Sequence, residues 1–69
     1  MKFKLVYLED FDFVPKDKPD KKHRIYVFLE PQSCQIFYGA DIEGTFKKYE
    51  VYSCEIEYKG GKLKVVSAQ

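Results

Sequence analysis

Residues 22–29, Lys-His-Arg-Ile-Tyr-Val-Phe-Leu, alternate with a period of two. That period marks a strand, because successive side chains of a strand point to opposite faces of a sheet. Ile25, Val27 and Leu29 form the aliphatic set and are expected to face a core. Arg24, Tyr26 and Phe28 then occupy the other face, where a half-buried sheet ordinarily carries polar residues.

The same reading divides the rest of the chain into short strands. Residues 2–8 open with Phe3, Leu5 and Tyr7 on one side and Lys2, Lys4 and Val6 on the other. Residues 9–21 hold Pro15, Pro19 and many Asp and Lys, a composition that predicts a long exposed loop. Phe11, Phe13 and Val14 are apolar for such a loop, and either tuck beneath the sheet or form a binding lip. A second strand over 22–30 turns through Pro31-Gln32-Ser33 into a third over 34–38, on which Phe37 is expected to share the outer face with Tyr26 and Phe28.

Residues 39–48 contain Gly39 and Gly44 and read as a loop or a single helical turn. A fourth strand over 49–58 directs Tyr52, Cys54, Ile56 and Tyr58 inward. Gly60-Gly61 is a tight-turn signal leading to a fifth strand over 62–67, with Leu63 and Val65 inside.

Five short strands without an ordinary helix imply an all-β domain that curls to protect its edges. The order of strand, long loop, hairpin, irregular connection and hairpin fits a small five-stranded barrel of the oligonucleotide-binding (OB) kind. An SH3-like barrel is the alternative, although its usual peptide groove is rich in Trp and this chain has none.

With 69 residues the chain makes one domain. A domain of this size buries only about 60% of its unfolded surface, which leaves little room for a deep cleft and favours surface binding over catalysis. Twelve Phe and Tyr exclude a disordered chain. Net charge is only +1, but residues 13–24 hold five Lys or Arg against two Asp, and residues 58–69 hold three Lys and no acid.

Rings interleaved with cations on an open sheet suit single-stranded nucleic acid, since bases stack on rings while Lys and Arg neutralise phosphates. The expected contacts are Lys22 and Arg24 to phosphate, and Tyr26, Phe28 and Phe37 to bases, with Tyr49 as a further ring. Lys16, Lys18 and Lys21 are lesser phosphate candidates. The same rings would equally serve a protein-interaction module, and the acidic stretch from Asp41 to Glu57 favours that rival.

Catalytic and metal chemistry find no pattern. His23 is the only histidine and has no acid placed by sequence to orient it. His23, Cys34 and Cys54 lack structural-zinc spacing, and Glu9, Asp10 and Asp12 precede no calcium-loop motif, so no cofactor is expected. Both cysteines read as reduced core residues. The Met-Lys-Phe-Lys-Leu start lacks a signal-peptide apolar run and no segment approaches a membrane span, which makes a cytoplasmic protein the expectation.

In Lys48-Tyr49-Glu50-Val51-Tyr52 and the closing Lys62-Leu63-Lys64-Val65-Val66, the chain resembles the small helix-destabilising single-stranded DNA-binding proteins of filamentous phages. The resemblance implies an OB barrel of phage or mobile-element origin that coats single strands. It implies such contacts for Arg24, Tyr26, Phe28 and Phe37, and no catalysis. It also implies a homodimer, although the compact Gly60-Gly61 turn stands where the family carries its longer dimer-forming hairpin.

Overall fold

The computed structural model describes residues 1–69. Its strands are β1 (Lys2–Phe13), β2 (His23–Glu30), β3 (Gln35–Ala40), β4 (Val51–Lys59) and β5 (Lys62–Ala68). They form one antiparallel sheet in the order β3-β2-β1-β4-β5. No helix is long and apolar enough to cross a membrane.

The long β1 serves two neighbours. Lys2 to Val6 pair with β4, while Val6 to Phe13 pair with β2. A bulge between Tyr7 and Glu9 leaves Leu8 unpaired in the ladder with β2. Such a bulge bends its strand and increases the twist. The sheet curls until its edge strands β3 and β5 lie against each other without a shared hydrogen-bond ladder. The result is the expected five-stranded, OB-like barrel, left open along this seam. β5 pairs with β4 and not with β1, which sets the arrangement apart from an SH3-like barrel.

The expected loop over 9–21 shortens to residues 14–22, because β1 runs on to Phe13. Its extension is itself an alternation, with Glu9, Phe11 and Phe13 on one side and Asp10 and Asp12 on the other. The acids are held by β2 and the residue before it: Arg24 pairs with Asp10 and lies 2.9 Å from Asp12, while Lys22 lies 3.3 Å from Asp12. Tertiary ion pairs thus support a ladder that composition alone disfavours.

The core consists of Leu5, Tyr7, Phe28, Phe37, Ile42, Cys54, Ile56 and Val65. In register, Tyr7 stands opposite Phe28 and Phe28 opposite Phe37, so one rung places three rings inside the barrel. The loop between β3 and β4 closes this end. It contains no helix, as expected, but Ile42 is buried and Phe46 packs on four rings: Tyr7 at 5.6 Å, Tyr26 at 5.7 Å, Phe28 at 5.9 Å and Tyr52 at 5.0 Å between centroids.

The expected Gly60-Gly61 turn has φ of 58° and 82°, the left-handed pair that a two-residue hairpin requires. The hairpin tip overshoots the barrel, so Tyr58 and Leu63 are exposed and not inward as expected. Cys54 is buried as expected, whereas Cys34 is exposed in the β2–β3 turn.

Candidate nucleic-acid interface

The structure does not assemble the six expected contact residues into one surface. Phe28 is 0% exposed and Phe37 only 6%, so neither ring can meet a base. Tyr26 is half-buried, edge-on to Phe46. Tyr49 is exposed, but it lies in the loop before β4 with φ of 69°, its N–H donating to the Tyr7 carbonyl at 2.7 Å.

Lys22 and Arg24 are exposed but engaged by carboxylates. The Tyr7 hydroxyl donates to Asp10, and this bond, more than the Arg24 guanidinium, holds the Asp10 carboxyl below its ordinary range. Asp12 is held low by Arg24 and then by Lys22. Asp41 accepts from the Arg24 backbone N–H at 3.0 Å and lies 2.8 Å from His23 Nδ1, and both contacts lower its pKa. The two cations expected to make the main phosphate contacts are therefore neutralised from within, while Lys16, Lys18 and Lys21 of the β1–β2 connection enter no ion pair.

Inversion of β2 explains the change. Phe28 is buried inside the barrel and Tyr26 half-buried against Phe46, while Ile25, Val27 and Leu29 lie on the opposite side of the strand, where Ile25 and Leu29 are half-buried and Val27 is itself covered by its neighbours. Larger rings fill a small barrel better, because each aromatic side chain buries about 150–250 Å².

A different surface results on the outside of β1, β2 and β3. Register forms it in rows: Val51, Val6, Leu29 and Ile36 in the first; Glu9, Val27 and Tyr38 in the second; Phe11, Ile25 and Ala40 in the third; Phe13 and His23 in the last. Three rings stand out on it, with Phe11 41%, Phe13 48% and Tyr38 54% exposed. Phe11 and Tyr38 flank β2 on opposite sides and one row apart, so two strand spacings and a two-residue offset set them roughly 12 Å apart. Lys64 of β5 borders the same surface, lining a concavity with Ile25, Tyr38, Gly39 and Ala40. Neither Lys64 nor its neighbours Lys59 and Lys62 enters an ion pair.

Comparisons with protein-family models, curated proteins and solved structures found no match. The candidate surface is accordingly read from its own chemistry.

Phe11 and Phe13 carried a sequence signal, since two rings alternating with carboxylates are unusual in a solvated loop. Tyr38 gave less warning: it alternates with Phe37, and only the register shows which of the two is outside. No group of three or more His, Cys, Asp or Glu side chains is placed to hold a metal ion.

Proposed function

We propose that the chain binds single-stranded nucleic acid, without catalysis and with weak sequence selectivity, on the outer face of β1, β2 and β3. The observation that carries this reading is the grouping of three exposed rings, Phe11, Phe13 and Tyr38, beside the unpaired Lys64. Each ring that stacks a base contributes about 1–3 kcal/mol, and stacking accepts any base because every base has a π-face. DNA is the first ligand to test, in keeping with the resemblance of the closing hairpin to the phage single-strand-coating proteins. RNA shares the stacking chemistry, and discrimination would require contacts to the 2′-hydroxyl. A phage or mobile-element role in the cytoplasm belongs to the same proposal.

A second reading, a protein-interaction module, draws on the aliphatic row Val51, Val6, Leu29 and Ile36. Aliphatic side chains offer a base less than they offer another protein, a second copy of this chain included. Two different ligands would then share one face.

Fluorescence-anisotropy titration separates the readings. The chain is titrated into labelled oligo-dT, a duplex and an RNA of equal length, at low and moderate salt. Salt-sensitive preference for the single strands supports the proposal, since phosphate contacts release counterions. Absence of binding at low salt overturns it in favour of a protein partner.

A further inference from the structure

We infer that the open seam between β3 and β5 holds backbone phosphate, so that a bound strand leaves the rings at Tyr38 and follows the seam toward the β4–β5 turn. The inference rests on the single-strand reading and adds to it the path of the strand and its phosphate contacts.

Two concavities lie along the seam and share Ala40 and Lys64. The smaller, about 100 Å³, is walled by Ile25 and Tyr38; the larger, about 260 Å³, is walled by Lys59, Lys64, Val65 and Val66. One end of the groove thus offers a ring and an aliphatic surface, and the other offers two ammonium groups. That sequence of surfaces matches a nucleotide, whose base is apolar on its faces and whose phosphate is anionic. The larger concavity is smaller than the roughly 300–1,000 Å³ of ordinary small-molecule sites, a size suited to one sugar-phosphate unit and not to a whole enclosed ligand.

Charge placement points the same way. Lys59 and Lys62 stand directly opposite each other across the β4–β5 ladder, with no carboxylate on either. Like charges so placed repel, and a bound anion relieves the repulsion. Glu57 stands opposite Lys64 in register without forming an ion pair with it, so a phosphate competes with the attraction of this carboxylate for Lys64. In the β1–β2 connection Lys22 is held by Asp12, and Lys16, Lys18 and Lys21, although unpaired, line neither concavity.

The test is an amide NMR titration of the full chain with oligo-dT at low salt, together with the salt dependence of binding for Lys59→Gln/Lys64→Gln. Shifts at Ala40, Lys64, Val65 and Val66 alongside Tyr38 are expected. The double variant should lower the magnitude of the log–log salt slope by about 1.4, the value for two lost phosphate contacts on a single strand. Glu57→Gln should tighten binding. Shifts confined to Phe11, Phe13 and Tyr38 with an unchanged slope would overturn the seam path and leave the ring platform standing. No shift anywhere would overturn both.

Discussion

Gly39 on β3 lies so close to Val65 on β5 that a Cβ added to it would stand 2.5 Å from the Val65 carbonyl oxygen. The same Cβ would also meet Ile42 Cδ1 at 2.4 Å, but a side-chain end can move and a strand backbone gives way only by opening the seam. Gly39→Ala should therefore destabilise the fold by about 1–3 kcal/mol, the usual cost of overpacking. Urea unfolding monitored by circular dichroism measures this. An unchanged midpoint would show that the edge strands do not meet as described.

Phe28 and Tyr38 should separate stability from binding. Phe28→Ala removes a fully buried ring and should cost about 3–5 kcal/mol. At about 0.05–0.15 kcal/mol per residue a chain of this length has a total stability of roughly 3–10 kcal/mol, so the variant should lose a large share of it and unfold at a much lower midpoint. Tyr38→Ala should cost about 1 kcal/mol or less and weaken oligonucleotide binding. Equal unfolding midpoints for the two variants would contradict the assignment of faces.

Stability should fall on both sides of neutrality. The folded pKa values of Asp10, Asp12 and Asp41 lie below their ordinary range, so their contribution is complete above the unfolded value of about 3.9 and is lost as pH falls through the lower folded values. Burial pushes the Cys54 thiol up to about 11. Its contribution is complete below the unfolded value of about 8.5 and disappears as pH rises toward 11. Tyr7, raised by burial and by its bond to Asp10, adds a further loss above pH of about 10. Thermal midpoints should be level from about pH 5 to 8 and decline beyond. Cys54→Ala should delay the alkaline decline, and an identical decline in that variant would remove the thiol from the account.

Arg24 should prove a structural residue more than a ligand contact. Arg24→Gln takes a cation from Asp10 and Asp12, whose pKa values then rise, so acid unfolding should begin at higher pH than in the parent. Lys22→Gln should leave the salt slope of oligonucleotide binding essentially unchanged, since Asp12 already neutralises Lys22. A drop of about 0.7 in that slope would instead identify Lys22 as a phosphate contact.

Much of the fold could be read from local pattern. Gly60-Gly61 marked its hairpin, because a tight turn needs two left-handed residues, and the alternation around Cys54 and Ile56 marked an inward face. The facing of β2 could not be read. Ile25, Val27 and Leu29 on one side and Tyr26 and Phe28 on the other are both apolar enough to bury. Their competition is decided by partners distant in sequence: Tyr7 and Phe37 in register with Phe28, and Phe46 from a loop. The end of β1 was hidden for a related reason. Asp10 and Asp12 look like loop residues until Arg24 and Lys22 stand across from them. At the candidate site, rings beside cations were legible as a class of surface, while the identity of the rings depended on which face of the barrel they occupied.

The most direct test of the central claim is anisotropy titration of labelled oligo-dT with the parent chain and with Phe11→Ala/Tyr38→Ala, both confirmed folded. Loss of two stacking contacts at about 1–3 kcal/mol each should weaken affinity at least about thirtyfold. Parent-like affinity in the double variant would mean that the outer face of β1, β2 and β3 does not bind the strand.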